Sequence, residues 1–361
     1  MRSNLLVVLV FFLSGCAIDL GTTQAEAPPA PAVAVAKSCP LLRDVAGSVL
    51  GVAGDARSMA IGQGESLWFL DGLRVHQADG SEPTWKAVSL ALPASATVAG
   101  CLAGATTADT PTPLFDATGL PAGQSLQPLA PVRAGDKAWL FYGIDVADST
   151  AAFGVRRGGY GVAQSATLAP PFHMGATALW AGDGPSFGGS SLVDGADVYV
   201  YGCKNSGFLN ADCYVARAPA DKLDDVTAYV YASGGGHWTA DVEHAAAMVH
   251  AGDPIAVQYQ PTQQRYIMAY VTPLGQRLSL RTGLTPTGPW SQPREVAGCE
   301  LPFLDPGSFC GGVALHPELA GLGAGDLAIT YTINTFQRPA GLGDASYDAR
   351  LVVLQVPAGM P

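Results

Sequence analysis

The chain has 361 residues with a formal net charge of −11, only 14% charged residues, 44 glycines and 27 prolines. Soluble proteins average about 25% charged residues, so this composition suits many short strands joined by tight turns. The acidic balance and the absence of a basic cluster exclude nucleic acid as a partner, because phosphate binding needs a lysine or arginine surface.

In chain order, Arg2 precedes the apolar run Leu5 to Leu13, which is too short to span a bilayer as a helix and suits a secretory leader over residues 1–15. Leu13-Ser14-Gly15-Cys16 resembles a bacterial lipobox, in which cleavage leaves a lipidated Cys16 at the new terminus. Ala17 follows in place of an inner-membrane retention aspartate, so the expected location is the outer membrane or cell surface, with the membrane reached through the lipid alone. Residues 16–38 are rich in alanine and proline and have few large side chains, too few to offset the entropy of ordering. They read as a tether, and a single domain is expected over 39–361.

Seven cysteines become six once Cys16 carries lipid, and an even number in an exported chain favours disulfides. Cys203 with Cys213 and Cys299 with Cys310 flank short segments. Cys39 with Cys101 remains by elimination, although spacing alone does not fix the connectivity.

After the tether one pattern recurs. A small-residue strand and a glycine or Asp-Gly turn lead into a strand of β-branched and aromatic residues, as in "SMAIGQGESLWFLDG" and "GSSLVDGADVYVYGCK". The second strands centre near Trp68, Trp139, Tyr199, Ile267 and Ile329, a spacing of about 60 to 70 residues that accommodates four short strands. Five such units predict an all-β, five-bladed β-propeller, with a pair of β-sandwiches as the alternative. Further strands are expected at 214–218 and 278–282, and a turn capped by aspartates at 221–226.

Four stretches carry a family resemblance: "GD" with "LWFLDG", "GGSSLVDGADVYVYG" with "YVARAP", "RYIMAY" with "RTGLTPTGPWSQP", and "LHPEL" with "GDLAITYTIN". In order and spacing they resemble the domain-of-unknown-function 4185 family, among five-bladed propellers that include arabinan-cleaving glycoside hydrolases. The resemblance implies a carbohydrate-facing propeller and a glycan partner. It maps two aspartates common in that family, the first in the opening strand of the first blade and the second in a motif "FGDT", onto Asp55 and Asp71, the candidate catalytic pair. Here the second motif reads Phe69-Leu70-Asp71-Gly72.

Glycoside hydrolysis needs two carboxylates flanking the scissile bond, and the inner strands of a propeller can supply them to one channel. Asp55 reads either as that carboxylate or as a turn residue after Gly54. Asp71 reads either as its partner or as the first residue of an Asp-Gly hairpin turn. Arg57 is placed to hold a carboxylate ionised or to orient a sugar hydroxyl.

In "GGGHWTADVEH", Trp238 is a candidate sugar platform and Asp241 a candidate polar contact; the alternative is a solvated loop. His316 in "LHPEL" is a further candidate for substrate binding or for a structural role, with Glu318 a weaker acid. No zinc motif, P-loop, dinucleotide fingerprint or G-x-S-x-G elbow is found. The expectation is therefore no metal and no cofactor, with calcium in the channel unsupported by a ligand set. Glycan hydrolysis and non-catalytic binding of glycan or protein at the channel mouth stand as the two functional readings.

Overall fold

A computed structural model describes residues 32–42, 49–62, 64–76, 79–82, 84–93, 112–116, 118–151, 154–175, 178–207, 210–272, 276–319, 322–336 and 347–357. The leader, Cys16, most of the tether and Cys101 lie outside them. Strand β1 (Ala34–Pro40) comes first. One unit follows with β2 (Val49–Gly62), β3 (Glu65–Val75), β4 (Thr84–Pro93) and β5 (Thr112–Pro113). A second has β6 (Gln124–Ala134), β7 (Lys137–Ala147), β8 (Val155–Ser165), β9 (His173–Met174) and β10 (Trp180–Ala181). The third is larger: β11 (Ser190–Asp194), β12 (Asp197–Gly207), β13 (Asn210–Pro219), β14 (Val230–Gly234), β15 (His237–Thr239) and β16 (Val249–Ala251). The fourth has β17 (Ala256–Gln260), β18 (Arg265–Thr272), β19 (Arg277–Gly283) and β20 (Arg294–Gly298), and the fifth β21 (Ser308–Leu315), β22 (Asp326–Thr335) and β23 (Arg350–Gln355).

These strands form five antiparallel sheets, one per unit, with β2, β6, β11, β17 and β21 each at one end of its sheet. The expected five-bladed propeller is the observed fold, and all five predicted second strands are β3, β7, β12, β18 and β22.

The apolar runs in the second strands have a direct cause. Successive side chains of a strand point to opposite faces, and each blade is covered on both faces by its neighbours. Leu67 and Phe69 of β3 pack with Leu140, Tyr142 and Phe172 of the second blade, whereas Trp68 and Leu70 pack with Ala328 and Leu351 of the fifth. Likewise Ile267 and Ala269 of β18 face the fifth blade, and Met268 and Tyr270 face the third. Five buried clusters fill the five junctions between blades. A one-sided sheet would have alternated apolar with polar residues.

The tether expected through residue 38 ends earlier. Residues 34–40 form β1, the outermost strand of the fifth blade, paired with β23 from Ala34 opposite Gln355 to Pro40 opposite Arg350. Ladder pairing needs backbone groups rather than large side chains, so a small-residue segment satisfies the open edge of β23. The first and last described strands thus share one blade, and the Leu41 and Ala349 amides continue the contact from the fifth blade to Val52 of the first.

Cys203–Cys213 staples the β12–β13 hairpin, and Cys299–Cys310 ties the end of the fourth blade to β21. Two formed disulfides fit an oxidising compartment. Among the described residues no helix is long and apolar enough to cross a membrane.

Candidate functional site at the channel mouth

The five inner strands enclose a central channel. A cavity of about 330 Å³ inside it is lined from all five blades, including Arg57, Ser58, Arg133, Gln258, Tyr259 and Glu318. Toward the starts of the inner strands the channel gathers its carboxylates.

Asp55 reaches the channel because β2 is bulged there. Ala53 pairs with Gly72 and Ala56 with Leu70, so Gly54 and Asp55 together oppose Asp71. A bulge re-aims the side chain of its extra residue. Two glycines then make room. Gly54 has φ +86°, and a Cβ there would lie 2.4 Å from Asp71 Oδ2. Gly312, in a bulge of β21, has φ +60°, and a Cβ there would lie 2.0 Å from Asp55 Oδ1. On β7, a Cβ on Gly143 would lie 1.5 Å from Arg157 Nη1, so this glycine leaves space for the guanidinium.

The charges form one cluster. Arg57 Nη2 is 3.5 Å from Asp55 Oδ2, and Arg57 is also under the field of Asp253, which immediately precedes the fourth blade. Burial lowers the Arg57 pKa, and the two aspartates oppose that. Arg157 Nη1 is 3.3 Å from Asp145 Oδ1, and its Nη2 donates to Gln127 Oε1. Ser186 Oγ lies 3.4 Å from Asp253 Oδ1.

Burial, reinforced by the negative charge of Asp55, pushes Asp71 up to about 6, against the pull of Lys86 and Arg157. Asp253 also rises to about 6, through burial and then Asp55, with Ser186, Arg57 and Arg157 opposing. Asp71 is half-buried, whereas Asp253 keeps solvent access at the rim. A carboxyl that keeps its proton in mildly acidic solution, set beside a second carboxylate in one mouth, is what acid and base roles require.

Of the residues singled out from sequence, Asp55, Asp71 and Arg57 meet in this cluster. The hairpin-turn reading of Asp71 is overturned: β3 runs on to Val75 through Asp71-Gly72, because the outer strand β4 keeps pairing as far as Arg74. The turn reading of Asp55 gives way to the strand bulge.

The other candidates lie elsewhere. Trp238 is on the added outer hairpin of the third blade, where the Arg217 guanidinium stacks 4.3 Å from its ring centroid and Tyr199 meets it edge-on. Asp241 caps the short 3-10 turn Val242–His244, accepting from the Glu243 amide, with His244 Nδ1 at 2.7 Å. A separate cleft of about 700 Å³ beside that turn includes Asp241. His316 is fully buried, stacked on Trp68 at 4.8 Å, with Ser58 and Thr330 on its two nitrogens. Its ring therefore has no free nitrogen for a ligand. The capped turn expected at 221–226 is present, with Asp225 accepting from the Thr227 amide.

Sequence reasoning missed Asp145, Arg157 and Asp253 as site residues. Asp145 had a legible signal, since it ends the apolar run "AWLFYGI" as Asp71 ends "LWFL". Arg157 had none, because only the backbone gap at Gly143 admits it.

We expect Gly312→Ala to displace Asp55, since the added methyl occupies its carboxylate position at a φ that L-residues avoid. Loss of glycan turnover or binding out of proportion to the loss of thermal stability would show it; equal, small losses would show that Asp55 has slack.

Residues 164–336 match the family model described as Domain of unknown function (DUF4185). The match runs from the end of the second blade into the fifth and leaves out the segment carrying Asp55 and Asp71. No curated protein sequence matches the chain. Among solved structures, a provisionally assigned hydrolase from Bacteroides ovatus shares 13% identity, with 84% of this chain and 85% of that one covered at a TM-score of 0.60. The GH43_1 enzyme from Xanthomonas citri in complex with xylose shares 14% identity, with 88% of each chain covered at a TM-score of 0.51. At these identities the likeness is one of fold.

Proposed function

We propose that the chain is a cell-envelope glycoside hydrolase that binds a polysaccharide at the channel mouth and cleaves it with Asp71 as proton donor and Asp55 as the ionised base or nucleophile. One observation carries this reading. Asp71, raised to about 6, shares the mouth with Asp55, which is ion-paired to Arg57. The guanidinium lies beside the Asp55 carboxyl as its ion-pair partner, while Asp71 retains a proton in mildly acidic solution. Protonation of the leaving oxygen by one group and attack or water activation by the other is the division of labour that glycoside cleavage needs.

Two further points support the reading. A similarly folded protein holds xylose, and the family resemblance points to arabinan as the first polymer to try. The lipobox at Cys16 supports anchorage to a membrane with the propeller outside the cytoplasm.

The test is incubation with a panel of arabinans and other envelope glycans, followed by analysis of released oligosaccharides and of binding. Release supports hydrolysis. Binding without release shifts the assignment to a glycan-binding surface propeller.

The raised Asp71 also sets a pH profile. kcat/KM is expected to fall as pH rises through about 6, when Asp71 loses its proton. Stability should follow this limb. A carboxyl whose folded pKa exceeds its unfolded one binds more protons when folded, so its contribution is complete below the unfolded value of about 4 and lost as pH rises through about 6. Rate and unfolding measured across this range check both, and a rate that keeps climbing above neutrality would remove Asp71 as the donor.

A further inference from the structure

A chain of buried and half-buried groups from the fifth blade grips β2 just past Asp55, and the chemistry of the mouth does not use it. Thr330 Oγ1 is 2.9 Å from the carbonyl oxygen of Ala56 and 2.8 Å from His316 Nε2. Ser58 Oγ is 2.5 Å from His316 Nδ1 and is also hydrogen-bonded to Glu318 Oε1.

The direction of every bond follows from its far end. A carbonyl only accepts, so the Thr330 hydroxyl hydrogen goes to Ala56. Thr330 can then only accept from His316, which places a hydrogen on Nε2. The ring is fully buried and feels the positive charge of Arg57, both of which favour neutral imidazole. A neutral ring with Nε2–H has a bare Nδ1, which takes the one hydrogen of Ser58. The remaining contact, between Ser58 and Glu318, then has a hydrogen only if Glu318 supplies it.

We propose that Glu318 is held as a neutral carboxylic acid, donating into a one-way chain from Glu318 through Ser58, His316 and Thr330 to the Ala56 carbonyl, and that this chain positions the Asp55–Arg57 pair. Both of its β2 contacts, Ala56 and Ser58, flank Arg57, and Gly312 of the same fifth blade abuts Asp55. Burial of the Glu318 carboxyl raises its pKa, in the direction the chain requires.

The charged and titratable groups sharing its surroundings are Arg57 on β2, Arg133 on β6, Tyr259 on β17 and His316 after β21. An ionised Glu318 would claim the Ser58 hydrogen, leaving two bare acceptors 2.5 Å apart at Ser58 and His316. The chain would then have to break or draw a proton onto a buried ring. Glu318 is a positioning residue in this account, and the functional part of the inference rests on Asp55 being a site residue.

The test uses the intact chain labelled with nitrogen-15 at histidine, read by NMR, together with infrared spectra of wild type and Glu318→Gln. The expected result is a neutral Nε2–H tautomer of His316 at neutral pH, and a protonated-carboxyl band that disappears in Glu318→Gln. An imidazolium, an Nδ1–H tautomer, or no such band assignable to Glu318 overturns the proposal. Glutamine can donate from its amide, so Glu318→Gln should keep the tautomer and the turnover, whereas Glu318→Ala should lose about 10- to 100-fold in kcat through misplacement of Asp55. Equal losses in both variants would also overturn it. The spectra do not depend on glycan cleavage, so failure of the hydrolase reading and failure of this one are distinguishable.

Discussion

Replacing Asp55 by asparagine is expected to lower glycan turnover by about 10²- to 10⁴-fold, the contribution typical of a positioned acid or base. Asparagine keeps the shape of the side chain beside Gly312 but can neither accept a proton nor attack as an anion. It also leaves Arg57, buried at 5% exposure, with only the field of Asp253 to balance it. A modest loss of stability should therefore accompany the loss of rate, and thermal unfolding separates the two.

Asp71→Asn is expected to lower turnover comparably and to remove the limb near pH 6. With aryl glycosides, whose leaving groups need little protonation, it should lose less than Asp55→Asn does. Substrate binding that survives both substitutions while turnover disappears would assign the two groups to chemistry. Unchanged turnover in Asp55→Asn would end the hydrolase assignment at this site.

The second large effect is structural. Arg74 at the end of the first blade pairs with Asp348, which precedes the last strand, at 2.5 Å, and their side chains are 12% and 2% exposed. The carboxyl of Asp348 fills the space that a Cβ on Gly51 would need, so first blade, last blade and ion pair are fitted together. Arg74→Ala removes one partner of the buried Asp348 carboxylate, and removing one member of a buried pair costs up to about 3–5 kcal/mol. Denaturant unfolding measures it. A cost under about 1 kcal/mol would mean that water reaches Asp348 and that the pair behaves like a surface one.

The sites of these two predictions were not equally visible in the linear chain. Asp55 and Asp71 stood out through a resemblance and through their places beside glycines. Asp348 carried no signal, since nothing near it in sequence hints that Gly51 is its neighbour. Trp238 and Asp241 looked like a site because aromatic and acidic residues crowd one glycine-rich loop. Folding turned Trp238 toward Arg217 and used Asp241 to cap a turn. His316 was noticed for its position near the fifth inner strand, yet it lies in the junction behind that strand with both nitrogens occupied.

By itself the sequence determined the architecture. A blade buried on both faces needs an unbroken apolar second strand, and five such strands at even spacing leave few other ways to bury them, so local pattern and global fold coincide. It also pointed to the two disulfides seen among the described residues, each of which joins cysteines close along the chain. Only the tertiary structure decided the composition of the mouth. Asp55, Asp145 and Asp253 belong to the first, second and fourth blades. Asp55 acts on Asp71 and Asp253, and Asp145 on Asp71, because ring closure by β1 and bulges in the inner strands bring these side chains to one end of one channel. The raised proton affinity of Asp71 is likewise a property of that enclosure, since it arises from burial and from a neighbouring charge that no reading along the chain supplies.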